Sequence, residues 1–296
     1  MEGVHCMNEN SNKKRIYADF MLLIVAILWG STFVATKTSL TFLSPLYILA
    51  VRFLIAFGVM AVSFWKKFKI VKKYDLFGGF IVGTVIFFAF LTQTIGLIFT
   101  TAGKQAFLAA TYVVMVPFLY WILYKKRPDM RSFLGAIICF IGISLLTLNS
   151  NFQISFGDSL TIFSSLLFAA HIISNGYFVK KIDATVLTIM QFGAAGVWAL
   201  LAALILEPIP VNIPLEVVIS VLYLAVFGTC IAYFLQTIAQ KNTLSTHAAI
   251  ILSMEAVFGI IFSIILLKEA FTIKMAAGCL VILASILIIE LKGKTN

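Results

Sequence analysis

Glu255 is the only acidic residue in the apolar run from Thr246 to Leu267. An ionisable side chain at mid-membrane costs about 2.5 to 3.5 kcal/mol on insertion scales, so each such residue is a candidate for function. Glu255 lies about ten residues into its run, roughly 15 Å deep at 1.5 Å per residue, near the midplane of a bilayer. A carboxylate there can hold a proton, bind a cationic substrate group or pair with protein; a structural ion pair or a helix-to-helix hydrogen bond is the competing reading. Arg52 lies roughly seven residues, about 10 Å, from the outer end of its own run. Its guanidinium can receive a carboxylate or phosphate bidentately, pair with Glu255 in one conformation only, or snorkel to loop carbonyls. His171 sits mid-run, where a neutral, hydrogen-bonded imidazole competes with a proton-linked role. Trp29, Tyr112, Gln191, Tyr223, Tyr233 and Gln236 are candidates for the wall of a cavity around these groups.

Enzyme chemistry lacks its necessary groups. There is no HExxH, GxSxG, GxGxxG or P-loop GxxxxGK[ST] in the chain, so neither metalloprotease nor ATP-driven chemistry is expected. Cys139, Cys230 and Cys279 fall inside apolar runs and Cys6 in the polar N-terminal stretch, without CxxC or His spacing, and they read as small hydrophobes. No metal and no cofactor is expected.

These residues are embedded in a chain of 296 residues that is 61% hydrophobic, with 28 Phe and only 11% charged residues. A soluble domain carries about a quarter charged residues, so the composition excludes a water-soluble globule and makes lipid the solvent. About 20 apolar residues are needed to cross the hydrocarbon as helix. Ten such stretches are read: Phe20 to Thr36, Pro45 to Trp65, Leu76 to Phe99, Gln105 to Tyr124, Ser132 to Leu148, Ser159 to Val179, Ala184 to Leu206, Val217 to Ala239, Thr246 to Leu267 and Ile273 to Ile289. The first lacks a small-residue cleavage site and is expected to be retained rather than removed as a signal peptide.

The formal charge of +10 is distributed as topology rather than as a nucleic-acid surface. With a cytoplasmic N-terminus, the inner segments hold Lys13, Lys14, Arg15, Lys66, Lys67, Lys69, Lys72, Lys73, Lys125, Lys126, Arg127, Arg131, Lys180, Lys181, Lys241, Lys292 and Lys294. The outer ends keep Lys37, Lys104, Lys268 and Lys274, and the outer loops Asn149 to Asp158 and Glu207 to Glu216 contain no Lys or Arg. This bias places both termini in the cytoplasm of a cell-membrane protein and calls for an even number of spans.

The chain also resembles itself. An offset of 139 carries Asp19 onto Asp158 and Arg52-Phe53 onto Gln191-Phe192; an offset of 143 carries Ala106 onto Ala249, Ile122-Leu123 onto Ile265-Leu266, Lys125 onto Lys268 and Gly135 onto Gly278. The fold expected is therefore all-α: a polytopic membrane protein with ten transmembrane helices in a 5+5 inverted repeat. Residues 1–18 form a cytoplasmic tail, 19–150 and 158–291 the two five-helix repeats, and 292–296 a second tail. Because five is odd, the second copy enters the membrane from the opposite side, an arrangement used by carriers. Lys104 and His247 correspond under the repeat, each at the start of a helix preceded by Thr or Ser, and they are candidates for two gates. Gly79 and Gly83 form a GxxxG step for close helix packing.

Several motifs stand in order along the chain: Trp29-Gly30-Ser31-Thr32-Phe33, Arg52-Phe53, Thr101 to Leu108 leading to Val116-Pro117, and Glu255, Leu266-Leu267-Lys268-Glu269 and Gly278. Through them the sequence resembles, from about Asp19 to Leu291, the EamA-type branch of the drug/metabolite transporter superfamily. Ala256 replaces the Pro usual after the Glu, and Lys268 the usual Gly. The resemblance implies ten helices, a central cavity between halves, and export or exchange of small metabolites.

The expected function is a secondary transporter exporting amino acids or related compounds across the plasma membrane by alternating access, with proton coupling as a hypothesis. The expected partners are a small-molecule substrate and the lipid bilayer, with no nucleic acid; monomer and homodimer both remain open. A channel, or a receptor or scaffold that transports nothing, is the alternative class; a channel filter needs rings of like groups, whereas one central carboxylate with an inverted repeat fits alternating access.

Overall fold

The computed structural model describes the backbone of residues 2–69, 71–125, 127–128, 130–147 and 154–290. Lys126, residues 149–153 of the loop from Asn149 to Asp158, and the tail with Lys292 and Lys294 lie outside the described residues, as do the side chains of Cys6, Lys13, Lys14 and Arg15. Among the described residues the chain is all-helical. The helices are α1 (Glu2–Ser39), α2 (Pro45–Ser63), a short α3 (Trp65–Phe68), α4 (Lys73–Ile98), α5 (Ala102–Ala109), α6 (Tyr112–Tyr124), α7 (Met130–Thr147), α8 (Phe156–Phe178) and α9 (Ala184–Leu206). They continue with α10 (Leu215–Tyr223), a π-helical segment (Leu224–Ile231), α11 (Ala232–Asn242), α12 (Ser245–Leu252), α13 (Glu255–Leu267) and α14 (Ile273–Glu290).

Among the described residues, eight helical stretches are long and apolar enough to cross a membrane: Ile16–Ser39, Pro45–Ser63, Lys73–Ile98, Ala102–Tyr124, Phe156–Phe178, Ala184–Leu206, Leu215–Asn242 and Ser245–Leu267. Two shorter apolar stretches, Met130–Leu145 and Ile273–Ser285, accompany them. Apolar side chains such as Phe80, Leu204, Ile205, Ile265 and Leu280 face outward, as a surface solvated by hydrocarbon requires. The polar N-terminal stretch has the same helical backbone as the apolar run, so α1 begins at Glu2, ahead of the membrane-length stretch that starts at Ile16.

Helix ends are satisfied by side chains from distant segments. Pro45 opens α2 at a position where its missing N–H is no loss, and Glu207 caps that end, accepting from Leu46 N at 3.1 Å and Tyr47 N at 3.2 Å. Asp183 caps α9, accepting from Thr185 N at 2.9 Å, and Lys67 reaches the same carboxylate at 2.9 Å. Burial pushes the Asp183 carboxyl up, but the Lys67 contact and the Val186 and Thr185 amides outweigh it and hold the group below its ordinary value.

The repeat is visible in the element boundaries. An offset of 143 carries α5, α6 and α7 onto α12, α13 and α14, residue for residue at both ends of each. α2 and α9 begin 139 residues apart. α2 packs on α9 and α7 on α14, so each packs on its own counterpart, as a two-fold relation between halves produces. Gly79 and Gly83 lie where α4 meets α9: a Cβ on Gly83 would stand 2.5 Å from the Gln191 carbonyl, and one on Gly79 would strike Met190. The GxxxG step thus lets two backbones approach closely.

Candidate functional site

Two helices are interrupted at equivalent places, and the interruptions bring Tyr112 and Glu255 to one cavity. Between α5 and α6 the amides of Thr111, Val113 and Val114 donate to carbonyls three residues back at 3.1 to 3.2 Å, and between α12 and α13 those of Met254, Ala256 and Val257 do the same at 3.0 to 3.1 Å. These are tight 3₁₀-type turns. Each is supported by a hydroxyl bonding back to its own helix, Thr111 to Leu108 O and Ser253 to Ile250 O, both at 2.6 Å. The turn beside Glu255 forms with Ala256 rather than proline after the carboxylate. Both helices end on a left-handed lysine, Lys125 at φ 57° and Lys268 at φ 55°. At Lys125 and Lys268 alike, that backbone is the one glycine adopts most freely.

Tyr112 and Glu255 open α6 and α13, and both are buried. They line a cavity shared with Trp29, Thr32, Phe33, Phe90, Gln93, Phe168, His171, Ile172, Tyr233 and Gln236. The space is about 20 Å³, enough for about one water, so a metabolite requires the walls to part. Glu255 takes part in none of the ion pairs Lys67–Asp183, Lys104–Asp158 and His247–Asp19. The Tyr112 hydroxyl faces the Glu255 carboxyl within the cavity, and buried hydrogen-bonding atoms without protein partners gather around them: both ends of the Gln236 amide and, one layer out, Gln191 Nε2 and Arg52 Nη2. The fold thus keeps unmet donors and acceptors around a space, which suits a polar solute or water.

Of the residues singled out in the sequence, six line the cavity: Glu255, His171, Trp29, Tyr112, Tyr233 and Gln236. Three do not. Gln191 supports it from behind, its Oε1 3.0 Å from His171 Nε2. Arg52 lies behind Phe90, with its Nε donating to Thr229 Oγ1 at 2.8 Å, and makes no ion pair with Glu255 in this conformation. Tyr223 meets Ser31 Oγ at 2.5 Å and stacks on Phe227, because the π-helical segment turns it away from the Tyr233 face. Thr32 and Phe33 belong to the motif around Trp29 without being cavity candidates in the sequence, and Phe90, Gln93, Phe168 and Ile172 are additions; of these four only Gln93, an amide deep in a span, has the polarity that marks Gln236.

Lys104 and His247 lie outside the cavity in repeat-related ion pairs. Lys104 Nζ is 2.6 Å from Asp158 Oδ2, and His247 Nε2 is 2.9 Å from Asp19 Oδ1. Thr100 also donates to Asp158 at 3.0 Å. Thr101 caps α5 as the sequence suggests, accepting from Lys104 N at 3.3 Å. At α12 the cap position falls on Leu244, which supplies no side-chain bond, and Ser245 turns to Ile172 O at 3.4 Å. Glu269, from beyond α13, accepts from Ala102 N at 2.8 Å and Gly103 N at 2.9 Å, tying the second half of the chain to the start of α5.

The sequence model of the EamA-like transporter family matches residues 16–148 and, a second time, 155–291. A protein of Archaeoglobus fulgidus named an uncharacterized transporter is 35% identical over 279 residues, covering 94% of this chain and 87% of the relative. A second protein of that organism with the same description is 27% identical, covering 90% of this chain and 94% of its own. A solved crystal structure shares the fold, with a TM-score of 0.71 at 16% identity over 92% of this chain and 95% of that one.

Proposed function

We propose that this chain, which belongs to the EamA-like transporter family and is a multi-pass membrane protein, moves amino acids or related small metabolites by alternating access, outward across the plasma membrane. The observation that carries the proposal is the equivalence of Tyr112 and Glu255. They hold the same register in the two repeats, 143 residues apart, and line one cavity. A site assembled from matching positions of two halves can be opened from either side by exchanging the shapes of those halves.

On this reading the ten helical stretches form two five-helix repeats of opposite orientation, with both termini cytoplasmic. The Lys104–Asp158 and His247–Asp19 pairs then belong to opposite mouths of the pathway. Glu255 is the coupling group: a buried carboxylate outside any of the ion pairs is neutralised by a proton or by a cationic substrate group, and alternation between the two would exchange solute for proton. Energy comes from gradients. The chain works as a monomer or a homodimer, since its two repeats already supply both halves of the site.

The test is counterflow in proteoliposomes. Purified chain is reconstituted with unlabelled amino acids inside and a labelled mixture outside. Saturable, trans-stimulated entry of label is expected; conductance without saturation would favour a channel, and no flux at all would favour a receptor or scaffold.

A further inference from the structure

Arg52 is 1% exposed, among the most deeply buried side chains of the protein, and it belongs to none of the ion pairs Lys67–Asp183, Lys104–Asp158 and His247–Asp19. A guanidinium removed from water without an anion is strongly destabilising, so an arrangement that keeps one has to be accounted for. Two features hold it. Its Nε donates to Thr229 Oγ1 at 2.8 Å, and that hydroxyl donates in turn to Leu224 O at 2.8 Å, five residues back in the π-helical segment. Its carbon Cζ lies 4.2 Å from the centroid of the Phe90 ring. The ring face attracts a cation but supplies no hydrogen-bond acceptor.

These contacts leave one edge of the fork unused. With Nε engaged, the Nη edge is the edge that can receive a planar, two-oxygen anion bidentately. Nη2 is buried and has no partner. The same edge is close to the cavity. Phe90 and Thr32 both line it, and a Cβ on Gly228 would lie 3.7 Å from Arg52 Nη2 while striking the Thr32 methyl. One aromatic ring and one glycine therefore separate the guanidinium from the space that Glu255 faces. Trp29 Nε1 donates to Gly228 O at 3.1 Å, fixing the π-helical segment to the cavity wall.

We propose that Arg52 is a specificity-determining residue: when Phe90 turns aside, its Nη edge takes the carboxylate of the transported solute, and Glu255 takes the cationic group of the same molecule. The substrate class is then a small zwitterion carrying one carboxylate and one ammonium, rather than an amine or a neutral solute. This rests on the carrier reading above. It differs from a purely structural arginine, which would stabilise the fold without sensing the anionic group of any solute.

The experiment compares matched solutes. Wild type, R52K and R52Q, each checked by size exclusion and circular dichroism, are reconstituted in proteoliposomes. Uptake is then measured for the L-amino acids and, independently, for the decarboxylated amine of each, so that saturable flux of amines alone overturns the assignment while leaving the carrier reading intact. The wild type is expected to prefer the amino acid over its amine by at least about tenfold in kcat/KM, because a buried hydrogen-bonding group left unpaired rejects the analogue that lacks its partner. R52K, which keeps the charge without the fork, should lose most of that preference through KM, and R52Q should abolish it. An amine carried by the wild type as well as its parent amino acid overturns the assignment, and needs no variant to fold. A folded R52Q with the wild-type preference overturns it equally. Absence of saturable flux for every solute in the wild type would instead overturn the carrier reading, which separates the two failures.

Discussion

Lys104 and Asp158 meet at 2.6 Å, and the residues 143 positions after the lysine and 139 before the aspartate, His247 and Asp19, meet at 2.9 Å. The same contact has been kept in both repeats while its chemistry has diverged. Lysine is charged at any physiological pH, whereas histidine supplies an attractive charge only when protonated. The two pairs also differ in burial: Asp158 is fully buried with Lys104 at 19% exposure, while His247 and Asp19 are 22% and 34% exposed.

That difference sets the first prediction. D158N should lower stability by about 2–3 kcal/mol, less than the full cost of orphaning a completely buried charge because Lys104 keeps some access to solvent. D19N, at a more exposed pair, should change it by about 0–1 kcal/mol. Thermal unfolding of both variants in the same detergent checks the order. Equal losses would mean that burial does not govern the two pairs.

Glu255 supplies the second prediction. E255Q keeps the shape of the side chain and removes its ability to exchange a proton. Counterflow by E255Q should lose its dependence on pH while exchange at saturating solute persists at a reduced rate. If the variant keeps the full rate and the full pH dependence, Glu255 is not the coupling group.

The sequence made the polar centre legible because polarity in a span is expensive. Glu255, His171 and Gln236 stand out in apolar runs, and Trp29, Tyr112 and Tyr233 combine a ring with a polar atom. Phe90 and Phe168 were hidden for the opposite reason: in a chain with 28 Phe, a phenylalanine facing the cavity looks like one facing lipid. The π-helical segment was hidden too. Its residues Leu224 to Ile231 are ordinary helix formers, and only the Thr229 bond to Leu224 O, five residues back, betrays the wider turn that directs Tyr223 away from the site. The interruption before Tyr112 has no Gly or Pro to mark it. Its repeat partner is what identifies it, since boundaries at Ala109 and Tyr112 recur at Leu252 and Glu255.

Asp183 gives a pH prediction away from the membrane interior. Its carboxyl is held below the ordinary value, so the folded state binds its proton less readily than the unfolded chain. The stabilisation is then fully present above the unfolded value of about 3.9 and is lost as pH falls through the lower, folded one. Wild type should therefore show a constant, full contribution from this group between pH 5 and 8 and a decline only in acid. D183N, which can still cap α9, should flatten that acid limb, and D183A should cost about 0.5–2 kcal/mol at neutral pH through loss of the cap. Unfolding midpoints measured from pH 7 to pH 3 at fixed ionic strength test both. An acid limb unchanged in D183N would remove Asp183 as its source.

Two glycines test how closely α1 must approach α13. A Cβ on Gly30 would stand 2.5 Å from Phe258 Cβ, 2.8 Å from Gly259 N and 3.0 Å from Glu255 O. Two of those atoms belong to backbone, which cannot rotate away, so G30A must push the helices apart. Trp29 and Glu255 sit at this crossing and both line the cavity, so the displacement reaches the site. G30A should cost about 1–3 kcal/mol, the range for overpacking, and depress transport more than its stability loss explains. Gly58, inside α2, has nothing within 4 Å of where a Cβ would go. There the change to alanine removes only backbone freedom from the unfolded chain, and G58A should gain about 0.4–1 kcal/mol. Unfolding midpoints for the two variants should move in opposite directions while counterflow falls only in one: lower stability with lower transport for G30A, higher stability with unaltered transport for G58A. If G30A transported like the wild type, the α1–α13 contact would not be what fixes the position of Glu255.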